Sequence, residues 1–192
     1  MEIKNTYTKK DREIIQKSLE VAIEAHKDQV RKIDGRPYIF HPTEVANYLM
    51  AEGMPAYLVA AGNLHDVIED TDYDEKSLRR IFDKYDTRMV DYVISVTENK
   101  SLIWEERKVD AAIKVYNSDF YTKVLKCADC LSNINATLKG YDNMGDKIWS
   151  CFNKGKELQK EKEQIILNAI KEISILEIYK ELEDKTNILF NA

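Results

Sequence analysis

The chain reads as an all-α helical domain, and three observations carry that reading. Gly and Pro are scarce, six and three in 192 residues. Ala, Leu, Ile, Glu and Lys, the good helix formers, are abundant. Apolar residues recur at spacings of three and four, with no convincing alternating strand pattern, internal repeat or low-complexity tract. With 44% hydrophobic and 33% charged residues, the length suits one well-buried core and is short for two, so a single domain over 1–192 is expected.

Thr8 and Asp11 form a capping-box pattern, after which Ile14, Ile15, Leu19, Ala22, Ile23 and His26 share a helical stripe, predicting a first helix to about Gln29. The segment VRKIDGRPYIFHP, with Gly35, Pro37 and Pro42, breaks the pattern and reads as a charged loop. Pro42 fits the first turn of a helix through Met50, closed by Gly53. A third helix follows Pro55 and runs from Tyr57 to Ile68, with Leu58, Ala61, Leu64 and Ile68 on its apolar side. Further helices are expected over Lys76–Tyr85, over Arg88–Val96 behind Asp86-Thr87, over Trp104–Tyr116, and over Phe120–Leu138, the last stopped near Gly140. From Asp146 to Leu182 the chain is helical, with Ile165, Ile166, Ile170, Ile173, Leu176 and Ile178 as a buried side.

A net charge of -5 argues against a general nucleic-acid binder, which needs a broad cationic surface. No segment approaches a membrane span or a signal peptide. Three cysteines, an odd number, point to a reduced compartment, and a cytoplasmic protein is expected. Cys127 and Cys130 form a C-x-x-C, but mid-helix and without a second pair they read as small core residues.

Chemistry concentrates in three fragments: His41-Pro42, then His65-Asp66 with Glu69-Asp70, and Asp129 within KCADCLSN. They use two of only three histidines. On one predicted helix Glu69 stacks over His65 and Asp70 over Asp66, so a cation held by the first pair would lie among carboxylates whose repulsion it offsets. The plainer reading of HDVIED is a solvated helix end, although negative charge at a helix C-terminus opposes the macrodipole. Asp129 sits among Leu125, Ala128 and Leu131, where a lone carboxylate is expensive unless paired, protonated or metal-bound. Lys126, one turn earlier, offers an ordinary ion pair; Asn133 lies one turn later on the same face. Two imidazoles and two carboxylates without thiolate suit Mn²⁺ or Fe²⁺ better than a closed zinc site. Lys27, Arg31, Lys32 and Arg36 form a cationic cluster just before His41, either a phosphate site or a solvated loop. Trp104 is either packing or a platform for a base.

The stretches AHKDQVRKIDGRPYIFHPTEVA, AAGNLHDVIEDTD, VTENKSLIWEERK and KVLKCADCLSNI, in that order over about residues 25–135, resemble the HD-domain superfamily. The closer resemblance is to its (p)ppGpp hydrolase branch, the hydrolase half of RelA/SpoT-type enzymes and small stand-alone alarmone hydrolases. It implies an HD-type helical bundle and a metal-dependent phosphohydrolase removing the 3′-pyrophosphate of guanosine tetra- or pentaphosphate. It further implies His41, His65, Asp66 and Asp129 as ligands to Mn²⁺, Glu69 and Asp70 as the pair acting on the attacking water, and Arg31, Lys32 and Asn133 as nucleotide contacts. Cys130 departs from the basic residue that usually follows the aspartate, and WSCFNKGKELQ departs from the bifunctional enzymes. No room is left for a synthetase domain. Another nucleotide substrate (ppApp, NADPH or a nucleoside monophosphate) shares the same ligands, and a non-catalytic nucleotide sensor is the reading from a different class.

Overall fold

The computed structural model describes residues 7–191. Among these residues there is no strand, and one isolated antiparallel bridge, Val30 to Pro37, pins the charged loop. The α-helices are α1 (Lys9–Ala25), α2 (Phe40–Ala51), α3 (Ala56–Leu64), α4 (Val67–Asp70), α5 (Glu75–Ile81), α6 (Arg88–Val96), α7 (Trp104–Tyr116), α8 (Phe120–Met144), α9 (Lys156–Ala169) and α10 (Glu177–Asn191). Two 3₁₀ segments, Gly145–Cys151 and Lys171–Ile173, lie in the last third. No helix is long and apolar enough to cross a membrane among the described residues.

Every residue of α3 except Tyr57 is buried, and the helix packs against α1, α2, α6 and α8. Apolar residues therefore need no amphipathic pattern here, because Tyr57 alone reaches the surface. α2 and α3 form an antiparallel pair joined by a short turn in which Gly53 adopts φ 71°. Their backbones meet at Gly62, where a Cβ would lie 2.8 Å from Leu49 Cδ1 and 3.2 Å from the Ala46 Cα. That approach sets the start of α2, carrying His41, beside the end of α3, carrying His65.

Five boundaries differ from expectation, each for a local reason. α5 ends at Ile81 rather than Tyr85, because the fully buried Phe82 closes it, donating its N–H to the Leu78 carbonyl. α1 ends at Ala25 rather than Gln29, because His26 closes the helix and turns its ring inward. The third helix stops at Leu64 instead of Ile68. The His65 side chain occupies the Gly62 carbonyl, a last-turn acceptor, and helix resumes when Asp70 N–H donates to the Asp66 carbonyl at 2.8 Å. α8 runs through Gly140 to Met144: Gly140 is small because Ile148 Cδ1 and Ile33 Cγ2 would lie 2.6 and 2.8 Å from a Cβ, and Gly145, at φ 58°, ends the helix. The last third is broken by its 3₁₀ segments, and Ile165 is exposed while Ile166, Ile170, Ile173 and Ile178 are buried. The starts fare better: Thr8 with Asp11 is a true capping box, and α6 and α7 fall on the expected residues.

Gly62→Ala tests the α2–α3 contact. Overpacking against backbone costs about 1–3 kcal/mol, more than the roughly 1 kcal/mol an alanine adds to a helix interior. A melting curve should show Tm lowered by about 2–6 °C; an unchanged or raised Tm would remove this contact as a constraint.

Candidate metal centre

His41 sits in the first turn of α2, His65 and Asp66 in the break between α3 and α4, and Asp129 in the middle of α8. The fold brings all four together. One ligand atom each from His41, His65 and Asp66 gather within 4.8 Å of one another. Asp66 Oδ2 lies 3.4 Å from His41 Nε2 and 3.2 Å from His65 Nε2. Asp129 Oδ1 lies 3.3 and 3.7 Å from the same two nitrogens.

Hydrogen bonding on the far side of each ring decides what these nitrogens offer. His65 Nδ1 is 2.9 Å from the Gly62 carbonyl, which can only accept, so Nδ1 carries the proton. His41 Nδ1 is 2.9 Å from Ser132 Oγ, whose own hydroxyl donates to Glu44 Oε2 at 2.8 Å, so this Nδ1 is again the donor. With both rings neutral, bare Nε2 lone pairs would face each other across 3.1 Å; in the metal-free protein a proton on His65 relieves that contact. Two acceptors at that distance repel unless a proton or a cation lies between them. The donor set, two imidazoles and two carboxylates, fits a divalent ion.

The electrostatics agree. Burial alone would lower the pKa of His65, but Asp66 and Asp129 beside it raise it well above the ordinary histidine range. Burial would raise Asp66 and Asp129; the imidazoles for Asp66, and Lys126 with the imidazoles for Asp129, hold both carboxyls well below the usual range. The site is thus built to hold positive charge.

Around the four lies a second layer that joins Arg31, Lys126 and Asn133, singled out in the sequence, to Tyr38, Ser132 and Glu44, which were not. Tyr38 donates its hydroxyl to Asp66 Oδ2 at 2.6 Å, and the third histidine, His26, packs its ring 4.8 Å from that tyrosine. Lys126 donates to Asp129 Oδ2 and Asn133 to Asp129 Oδ1, each at 2.8 Å, so the ion pair weighed as an alternative coexists with the cluster. Arg31, buried, donates to Asn133 Oδ1 at 3.0 Å and lies 3.8 Å from Glu44. One chain of contacts therefore runs from His41 through Ser132, Glu44, Arg31 and Asn133 to Asp129. Asn133 was marked by its place one turn after Asp129; Ser132, three residues after Asp129 in the same helix, is the missed member whose spacing could have flagged it.

Glu69 and Asp70 line the same cavity, of about 220 Å³. Burial raises the pKa of Glu69, while its Oε2 accepts from the Glu98 amide at 3.0 Å. Asp70 is more exposed and is paired with Lys100 at 2.6 Å. Lys108, Lys126 and Lys162 also line this cavity, although only Lys126 stood out in the sequence. Cys130 lines it too, and burial pushes its thiol up to about 12, so it remains neutral. Of the proposed cationic loop, Lys32 borders neighbouring cavities. Lys27 and Arg36 instead pair with Glu24 and Asp34, as solvated loop residues do.

Comparison with known proteins places this geometry in context. A family profile described as HD domain matches residues 18–139. A Borreliella burgdorferi protein named guanosine-3′,5′-bis(diphosphate) 3′-pyrophosphohydrolase is 31% identical over 76% of this chain and 22% of its own length. An Aquifex aeolicus protein of the same name is 30% identical over 90% of this chain and 23% of its own. The chain thus spans under a quarter of these curated relatives. A solved Listeria monocytogenes structure is 33% identical with TM-score 0.73, covering 79% of this chain and 99% of that one. A second solved structure, described as a metazoan ortholog of SpoT that hydrolyzes ppGpp, shares the fold at TM-score 0.73 and 23% identity, covering 97% of each chain.

Two outcomes are expected of calorimetric titration with Mn²⁺. Ser132→Ala releases the His41 ring and should weaken binding by about 10–100-fold; unchanged affinity would make Ser132 a bystander. In the metal-free protein His65 holds a proton up to its raised pKa, and that proton must leave as metal binds. Affinity should therefore rise about tenfold per pH unit toward that pKa and level off above it; a pH-independent affinity would contradict this.

Proposed function

We propose a reaction for this chain, which belongs to the HD-domain family: metal-dependent hydrolysis of guanosine 3′,5′-bis(diphosphate), releasing pyrophosphate and GDP. The observation that carries the proposal is the meeting of two Nε2 atoms and two carboxylates within one cavity that also holds Glu69 and three lysines. The names of the curated relatives supply the substrate class.

In this reading His41, His65, Asp66 and Asp129 hold the ion, and the N/O donor set without thiolate favours Mn²⁺. A divalent ion bound there supplies Lewis-acid polarisation of a phosphoryl oxygen and a lowered pKa for water. Glu69 takes the proton of the attacking water: burial raises its pKa, which strengthens it as a base, and the Glu98 amide fixes one oxygen while leaving the other free. Asp70, tethered by Lys100, orients rather than accepts. Tyr38 holds Asp66 through a single oxygen, keeping the carboxylate in register. Lys108 and Lys162, each already paired with a carboxylate, meet the negative charge of the substrate's phosphates without having to be ordered on binding. Arg31 and Asn133 meet the nucleotide as a hydrogen-bonded unit, and Lys32 stands exposed at the rim. Three free thiols fit a reducing, cytoplasmic setting.

Purified protein with Mn²⁺ should convert ppGpp to GDP and pyrophosphate, and chelation or Asp66→Ala should abolish this. Glu69→Gln should lower kcat by about 10²–10⁴-fold with KM little changed. Release of single phosphates instead of pyrophosphate would overturn the reaction. Tight binding of ppGpp by metal-loaded protein without turnover would leave a sensor.

A further inference from the structure

Glu69 and Asp70 close α4, a helix of four residues. One turn of helix does not hold itself, and its last carbonyls have no partner within the helix. Side chains from outside supply them. Thr71 Oγ1 donates to the Val67 carbonyl at 2.6 Å, Lys100 Nζ to the Glu69 carbonyl, and Gln29 Nε2 to the Asp70 carbonyl at 2.8 Å. Thr71 is the next residue in the chain and Lys100 is exposed on a loop. Gln29 reaches over from the end of α1 and is itself held from behind.

What holds Gln29 is His26. The Asp70 carbonyl can only accept, so the Gln29 amide turns its NH₂ group toward it and its Oε1 the other way, where His26 Nδ1 lies 2.8 Å off. Nδ1 therefore carries the proton and donates. Burial lowers the His26 pKa, so the ring is neutral and Nε2 is a bare acceptor. That nitrogen is buried without a hydrogen-bond partner among the described residues, and the whole residue is 1% exposed. An apolar side chain would fill this space without stranding an acceptor, so packing does not account for a histidine here. Its contact with Gln29 does. The pair is braced on the metal side as well: the Gln29 carbonyl accepts the Tyr38 N–H at 2.9 Å, and the His26 ring packs against the Tyr38 ring, whose hydroxyl holds Asp66. The brace thus reaches both Asp66, just before α4, and Asp70, at its end.

We infer that His26 and Gln29 are positioning residues that clamp the end of α4 and thereby set where the Glu69 and Asp70 carboxylates stand relative to the four ion-binding side chains. This rests on the proposed hydrolysis and deepens it. Both residues act through the backbone of α4 rather than on the reacting atoms.

The test separates clamping from general stability. His26→Phe keeps a ring beside Tyr38 and removes the Nδ1 donor. Gln29→Met removes both contacts of the amide at a partly exposed position, so it serves if the first variant fails to fold. In Mn²⁺-loaded protein each should lower kcat for ppGpp by about 10–100-fold, with KM and the Kd for Mn²⁺ within about threefold of wild type. His26→Asn returns an amide N–H to the place of Nδ1 and should recover most of the lost kcat. In the metal-free protein the backbone amides of residues 66–71 should exchange hydrogen severalfold faster in His26→Phe and Gln29→Met, while those of α3 exchange as in wild type. Losses of kcat and Mn²⁺ affinity in equal proportion, no rescue by His26→Asn, or turn amides that exchange as in wild type would overturn the inference. A wild type that turns over no ppGpp, while the two variants still loosen the turn, would defeat the proposed reaction and leave the clamp standing.

Discussion

Two imidazole nitrogens held facing each other 3.1 Å apart are the constraint around which the molecule is arranged. Nothing local to either histidine produces that geometry. It needs α2 and α3 at a separation only a glycine permits, and Gly62 serves twice, lacking the Cβ that would part the helices and lending its carbonyl to orient His65. It needs a hydroxyl from α8 behind the other ring, and a glutamate to turn that hydroxyl into an acceptor. Without these supports each ring would turn its nitrogen toward water or a carboxylate.

Charge in the cavity follows from the same constraint. Asp66, Glu69, Asp70, Glu98 and Asp129 line it against Lys108, Lys126 and Lys162, so it is anionic as built from protein groups alone. A divalent cation held by the four ligand residues would offset that charge. The lysines are paired with carboxylates in advance, so positive charge stands ready without collapsing onto the ligands.

The sequence disclosed what is written in short spacing and hid what is written in space. Helices that announce themselves by a capping pair or a clean stripe, such as those behind Thr8 and at Arg88 and Trp104, start where expected. Boundaries fail where tertiary contact overrides propensity: Gly140 looked like a stop but is a close-packing residue, and His65 looked like helix interior but ends the helix with its own ring. The same division runs through the site. His41, His65, Asp66 and Asp129 were recognisable because each sits in a compact motif of unusual chemistry. Tyr38, Glu44, Lys108 and Lys162 are common residue types, and their partners lie far off in sequence, as Ser132 does from His41, 91 positions away. No local pattern marks such a pairing.

The ligand cluster and the cavity beside it draw largely on different parts of the chain. The ligand residues come from α2, the α3–α4 break and α8, elements packed together in the core, while α7 and α9 add Lys108 and Lys162 to the wall. The aromatic walls of the neighbouring cavity come from α7, the 3₁₀ turn with the residue after it, and α10, which supply Trp104, Trp149, Phe152 and Phe190. Substitutions in the last third can therefore reshape that neighbouring cavity while the four grouped side chains keep their places.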